Sequence, residues 1–248
     1  MSDTVLRETR DGVTLLTLNR PRKKNAFNGE QWLALSAAFD AAREDDAVGC
    51  LVVTGAGDAF SAGQDLTEIT GEGGSGQAFP RFMEALVAYD KPLLAAVNGV
   101  GVGIGATLPL HCDVVYVGES ARLRFPFSAL GLVPEAASSL LLPQIVGPQR
   151  AAEIFFTSEW IDAARAVELG LAARMLPDAE LLDAALARAR EIAARPVGSL
   201  RAIKRLLLAT RGDALRQTLD REIESMAERV GTPENLQALK DFFAKGGR

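Results

Sequence analysis

Asn98-Gly99-Val100-Gly101-Val102-Gly103-Ile104-Gly105-Ala106 places four glycines at alternate positions, directly after the apolar run Pro92 to Val97. The run predicts a strand, and the glycine series ends it. Gly101 to Ala106 satisfies G-x-G-x-x-A, and Glu119 lies near the end of the next apolar run, which makes a partial dinucleotide-binding fingerprint. Two features count against that reading. Ala106 to Cys112 leaves room for about two helical turns, short for a βαβ crossover, and the unit has no second copy. Two other readings stand beside it: a turn tight enough to need glycine, and a helix N-terminus whose free N–H groups face a ligand.

Outward from this stretch, strand and helix signals alternate. Val13 to Leu18 reads as a strand stopped by Asn19-Arg20-Pro21. Cys50 to Thr54 is continuously apolar and closed by Gly55-Ala56-Gly57, the pattern of a strand buried on both faces. Val114 to Val117 is a further strand. Asn28 is placed to cap a helix beginning near Gly29, with Trp32, Leu35, Ala38 and Phe39 on one face. Phe79 to Tyr89 is amphipathic and helical in spacing. Gly71 to Gly76, G-E-G-G-S-G, reads as a mobile loop inside a domain. From about Ala151 alanine-rich helices take over, broken at Pro177 and Pro196, and Val197 to Phe243 reads as two or three helices without strands. The fold class is α/β: a core over 1–196 and a helical region over 197–248.

Composition narrows the chemistry. The 248 residues are 48% hydrophobic and 24% charged, enough apolar content for a core and too much for disorder. With 27 basic and 32 acidic residues the net charge is −5, so no basic excess marks a nucleic-acid binder. Cys50 and Cys112 form neither a disulfide framework nor a zinc spacing, and a triad or His-rich metal site would have to pass through the one histidine, His111. His111 and Cys112 are adjacent on an apolar helix and so face apart, which makes His111 a structural residue rather than half of a dyad. No apolar run is long enough to suggest a membrane span, and the polar start, Met1 to Arg10, shows no secretory signal. The expectation is a cytoplasmic protein with no metal, no nucleic-acid partner and no membrane contact.

Phe60-Ser61-Ala62-Gly63-Gln64-Asp65-Leu66 is a second glycine-containing loop after a strand. Ser61 lacks the G-x-S-x-G surroundings of a nucleophile elbow. Two such loops can each offer one backbone N–H to the same oxygen, which builds an oxyanion hole without special side chains.

These residues resemble the enoyl-CoA hydratase/isomerase (crotonase) superfamily over nearly the whole chain. Leu18-Asn19-Arg20-Pro21 with Asn25-Ala26-Phe27 is similar to its first CoA loop. Phe60 to Leu66 is similar to its F-x-A-G-x-D-[LI] block, Asn98 to Asp113 to its second block, and Leu130 to Pro134 to the approach to its catalytic turn. The resemblance implies a spiral of ββα units with a C-terminal helical trimerisation region. It also implies an acyl-CoA thioester substrate, a place in fatty-acid metabolism such as β-oxidation, and no cofactor beyond the substrate's own coenzyme A.

Carried over residue by residue, the resemblance assigns the oxyanion hole to the N–H groups of Ala62 and Ile104, the latter at a position that is often glycine. It assigns CoA and substrate contacts to Lys24, Ala26, Gly63, Gln64, Asp65 and Leu66. Lys24 would meet phosphates and Ala26 the adenine, while the Asp65 carboxylate fixes its own loop. The two glutamates that hydratases of the family place around a water map to Thr107 and Phe127, so both are absent. Glu135 remains, at the turn where peroxisomal-type Δ3,Δ2-enoyl-CoA isomerases carry a single glutamate base. An aspartate occupies that turn in ring-processing isomerases and in 4-chlorobenzoyl-CoA dehalogenase.

A single carboxylate suits moving a double bond from 3-enoyl-CoA to 2-enoyl-CoA, because one group can take a proton and return it elsewhere. Burial against Phe125, Phe127 and Leu132 should raise the Glu135 pKa toward neutrality. Its bland alternative is an acid at the start of the helix through Leu141. Phe79, Phe82, Met83 and Leu86 read equally as an acyl-tunnel wall or as ordinary core. The alternatives to an isomerase are a hydratase or other lyase of the same family, and a non-catalytic CoA-thioester-binding protein. In the tail, Leu200, Ile203, Leu207 and Leu208, then Leu215, Leu219, Ile223 and Met226, form an apolar stripe. It predicts a homotrimer or hexamer in which Phe242, Phe243 and Lys245 approach a neighbour's CoA site.

Overall fold

The computed structural model describes residues 3–66 and 77–244. The predicted loop at 71–76 and Lys245 lie outside them. The strands are β1 Val5–Arg10, β2 Val13–Leu18, β3 Cys50–Gly55, β4 Ala59–Ser61, β5 Leu93–Val97, β6 Val100–Val102, β7 Val114–Gly118, β8 Arg122–Arg124, β9 Trp160–Asp162 and β10 Arg174–Leu176. The helices are α1 Gly29–Glu44, α2 Ala78–Ala88, α3 Ile104–Thr107, α4 Ser138–Val146, α5 Pro148–Thr157, α6 Ala163–Glu168, α7 Asp178–Ala193, α8 Val197–Ala209, α9 Gly212–Arg229 and α10 Pro233–Ala244.

Two sheets share these strands. One runs β1-β2-β3-β5-β7-β10 and the other β4-β6-β8-β9. Each of the pairs β3/β4, β5/β6 and β7/β8 sends its first strand to the larger sheet and its second to the smaller one. Neighbours β3, β5 and β7 are parallel, as are β4, β6 and β8. This is the α/β class that the sequence predicts, in the spiral form that the resemblance implies, built as a structural repeat with no exact sequence repeat. The dinucleotide reading falls here. β5 and β7 are parallel neighbours, but the chain between them holds the short strand β6 and a single-turn helix after Gly103, so the long crossover helix of a dinucleotide-binding unit is missing.

β3 shows why the continuous apolar run becomes a central strand. Leu51 and Val53 enter the main core, while Cys50 and Val52 enter a second core with Leu94, Ala96 and the Leu181, Ala185 and Ala189 face of α7. Asn28 caps α1 by accepting from Gln31 N–H, and Trp32, Leu35, Ala38 and Phe39 are buried as the spacing predicts. Phe82, Met83 and Leu86 of α2 are also core residues, with the Phe82 ring tilted against Phe27 and Trp32 and edge-on to Phe39.

Pro196 precedes α8, and three helices complete the chain without a strand. The tail folds onto its own core. Lys204 of α8 pairs with Asp113 at 2.6 Å, Leu215, Thr218 and Glu222 of α9 are buried, and Asn235 of α10 donates to Leu130 O at 2.7 Å. The predicted stripe therefore divides: Leu215 is covered, while Ile203, Leu207 and Ile223 are exposed, along with Leu206 and Phe243. Among the described residues no helix is long and apolar enough to cross a membrane.

Candidate active site

The first two loops are sewn together by backbone hydrogen bonds. Phe27 N–H donates to Gly63 O at 2.7 Å, and Asp65 N–H to Phe27 O at 2.8 Å. Asp65 also pairs with Arg20 Nη2 at 2.9 Å, and Arg20 Nη1 donates to Ala26 O, so this carboxylate fixes its loop as expected. Ser61 Oγ donates to Asn25 O and accepts from Gly63 N–H, an arrangement that anchors the turn and leaves no nucleophile. Trp32 Nε1 donates to Gln64 Oε1 at 3.0 Å, and Leu66 is half-buried at the loop's end.

The Ala62 assignment needs correction. Its N–H donates to Lys24 O at 2.8 Å and is not open to a ligand. The pairing of Phe27 with both neighbours of Gln64 turns the Gln64 N–H away from that strand, and among the described residues it has no acceptor. Gln64 N–H is the open donor on this loop. The Ile104 N–H begins α3 and has no acceptor there, while its side chain is buried in the main core.

The glycines bring these loops to one place. Gly63 has φ +95° and lies so close to β6 that a Cβ would stand 2.8 Å from Val102 O. Gly103 has φ +55°, and a Cβ there would sit 3.8 Å from Gly63 Cα and 3.6 Å from Glu135 Oε1. The Glu135 carboxyl, the start of α3 and the Gly63–Gln64 turn thus converge. Residue 135 keeps some accessible surface, yet enough protein surrounds its carboxyl to raise the pKa from 4.5 to about 7. Burial is the main cause, and the charge of Glu222 adds to it. Phe125 and Phe127 instead pack against Phe155 in the core.

Glu135 does not cap a helix. α4 begins at Ser138, and Ala136 and Ala137, at φ 57° and 55°, make a left-handed turn before it. Each such residue costs about 1–3 kcal/mol and needs support from its surroundings. Two side chains supply it. His111 Nε2 donates to Ala136 O at 2.7 Å. Glu222 accepts from Ala137 N–H at 2.6 Å, from Ser139 N–H at 2.9 Å, and from Ser139 Oγ. The carboxylate serving the helix N-terminus is therefore Glu222, and Glu135 is left to face Gly103. His111 is structural, as its sequence position implies, although its partner was not foreseeable. Cys112 Sγ points to Leu108 O, so no dyad exists.

Thr107 and Phe127 are buried, and among the described residues Thr107 Oγ1 has no hydrogen-bond partner. Lys24 stands at the surface, ion-paired with Asp58, whose pKa it lowers by hydrogen bond and charge. Ala26 is buried beside it.

The comparisons agree with this geometry. The model of the family "Enoyl-CoA hydratase/isomerase" matches residues 8–246. The chain is 35% identical to the 1,2-epoxyphenylacetyl-CoA isomerase of Escherichia coli (strain K12), over 99% of this chain and 97% of that protein. It is 32% identical to human enoyl-CoA delta isomerase 2 over 98% of its own length, spanning 64% of that relative. Among solved structures, an enoyl-CoA hydratase/isomerase from Pseudoalteromonas atlantica T6c superposes with a TM-score of 0.94 at 36% identity, covering 98% of this chain and 97% of that one. With the family's model matched over residues 8–246 and relatives of this identity along nearly its whole length, the chain belongs to the enoyl-CoA hydratase/isomerase family.

Proposed function

We propose that this enzyme is an acyl-CoA isomerase that converts a 3-enoyl-CoA to a 2-enoyl-CoA. One observation carries the reading: among the described residues a single carboxyl, Glu135, faces the Gly103 turn, while the positions that the resemblance assigns to the two hydratase acids hold Thr107 and Phe127. Hydration needs one group to activate water and another to protonate the α-carbon. Double-bond migration needs one group only.

In this mechanism the Glu135 carboxylate takes a proton from C2 of the 3-enoyl thioester. The electron pair moves into a dienolate whose negative charge rests on the thioester oxygen. The N–H groups of Gln64 and Ile104 receive that oxygen, in a setting where fixed dipoles act strongly. The protonated Glu135 then delivers the proton to C4, leaving the double bond between C2 and C3. A pKa near 7 suits transfer in both directions at neutral pH. Lys24 and its basic neighbours Arg22 and Lys23 would meet the CoA phosphates, Lys24 exchanging its exposed partner Asp58 for a phosphate, with Ala26 against the adenine. The working form on this reading is a cytoplasmic homotrimer or hexamer using no cofactor besides the substrate's coenzyme A.

Incubation with 3-hexenoyl-CoA in deuterated water, read by mass spectrometry, tests the reading. Formation of 2-hexenoyl-CoA with deuterium at exchangeable carbons is expected. Efficient hydration of crotonyl-CoA would identify a hydratase, and tight CoA binding without deuterium uptake would identify a binding protein.

A further inference from the structure

The turn that presents Glu135 has no intrinsic reason to hold its shape. Ala136 and Ala137 are both left-handed, and neither is a glycine. The buried carboxylate of Glu222 reaches them from α9, in a part of the chain remote from every motif that defines the site. Its Oε2 takes Ala137 N–H, and its Oε1 takes both donors of Ser139. Elsewhere on that helix face Leu215 and Thr218 are buried, and Leu219 and Met226 are half-buried. A side chain needed only for cover would be apolar, like those leucines.

We propose that Glu222 is a positioning residue for the reaction: by bridging residues 137 and 139 it fixes where the Glu135 carboxyl points. The inference rests on Glu135 being the proton carrier. A glutamine cannot replace the bridge, because its NH2 end would meet an N–H donor instead of accepting from it. The charge matters as well as the shape, since the Glu222 carboxylate adds to the burial that keeps Glu135 protonated more readily. Among the described residues no other charge from the packed elements takes this role. Ser138 to Val146 carries none, and His111 is neutral because burial lowers its pKa to about 4. Asp65 is paired with Arg20, Glu234 of α10 with Arg229, and Arg221 on α9 donates to Thr218 Oγ1.

The test compares the full chain with Glu222→Gln and Glu222→Asp. Two readouts are used: isomerisation of 3-hexenoyl-CoA, and direct titration of the Glu135 carboxyl by carbon-13 NMR, assigned through Glu135→Gln. In Glu222→Gln, kcat should fall roughly a hundredfold, the scale of a misplacement of about 1 Å, with KM little changed. The Glu135 midpoint should move to lower pH. Glu222→Asp keeps the charge but withdraws it by a methylene, so kcat should fall while the midpoint stays high; it also decides the matter should the glutamine variant not fold. Wild-type kcat in Glu222→Asp, or an unmoved midpoint in a folded Glu222→Gln, would overturn the proposal. If the native protein moves no double bond while its Glu135 midpoint still depends on Glu222, the isomerase reading fails and the positioning role stands.

Discussion

His111 Nε2 stands 2.7 Å from the carbonyl oxygen of Ala136, so the chain's one histidine holds the residue next to the proposed base. The two groups titrate against each other in their effect on folding. Glu135 has its pKa raised from 4.5 to about 7, so its ionisation opposes folding. That cost is absent below 4.5 and complete above about 7, at roughly 3 kcal/mol. His111 has its pKa lowered from 6.5 to about 4, so its protonation opposes folding. Its penalty is absent above 6.5 and complete below about 4, of similar size. Between pH 7 and 4.5 the two nearly cancel. Relative to the native protein, Glu135→Gln should therefore lose stability as pH falls through this window, and His111→Gln should gain it. Urea midpoints across pH check both, and parallel slopes for all three proteins would refute the argument.

Glu135→Gln keeps the shape of the turn and removes the base. Double-bond migration should fall by at least about a hundredfold, the contribution usual for a general base, and CoA affinity should barely change. The native kcat/KM should rise with pH through about 7, as Glu135 ionises. Turnover of 3-hexenoyl-CoA by the variant at the native rate would remove Glu135 from the mechanism.

Gly63 and Gly103 separate stability from rate. Gly63→Ala forces both a left-handed alanine and a contact of 2.8 Å with Val102 O, so the loop carrying Gln64 must shift. It should cost about 1–3 kcal/mol or more, together with activity. Gly103→Ala also strains the backbone, at φ +55° and ψ −121°, but meets nothing closer than 3.6 Å, and that neighbour is Glu135 Oε1. Its thermal midpoint should drop less than that of Gly63→Ala, while deuterium uptake into the acyl chain falls. Equal activity losses per unit of lost stability in both variants would contradict this placement.

The larger features were legible in the chain because they are local. The apolar run Cys50 to Thr54 has the pattern of a strand buried on both faces, and Asn28 is placed to cap the helix it precedes. Glu135 was legible through its motif. The features that escaped depend on partners far away in sequence. Ala62 and Gln64 look alike as donors until Lys24 O is seen to occupy one of them. Glu222 is 85 residues from Ala137 and one of several acids in Asp220 to Glu224. One signal was present. At spacings of four, three and four, Leu215, Leu219, Glu222 and Met226 share a stripe, and a lone carboxylate in an apolar stripe asks for buried partners.

The tail leads to the last prediction. Truncation after Pro196 removes Lys204 from Asp113, Glu222 from Ala137 and Ser139, and Asn235 from Leu130 O. Each loss leaves a charge or backbone group without its partner, at about 1–3 kcal/mol apiece or more for the ion pair. The shortened protein should be insoluble or inactive for reasons internal to one chain. The proposed assembly is a separate matter and would draw on exposed apolar side chains of the tail: Ile203, Leu206 and Leu207 of α8, Ile223 of α9 and Phe243 of α10. Exposed apolar side chains in such number call for cover, and light scattering should give three or six copies of the 26.4 kDa chain. Leu206→Asp with Leu207→Asp should break that assembly, leaving the buried Glu222 contacts, and so the Glu135 midpoint, unaltered. A native mass near 26.4 kDa at micromolar concentration, with full activity, would show that the exposed face has no partner among copies of this chain.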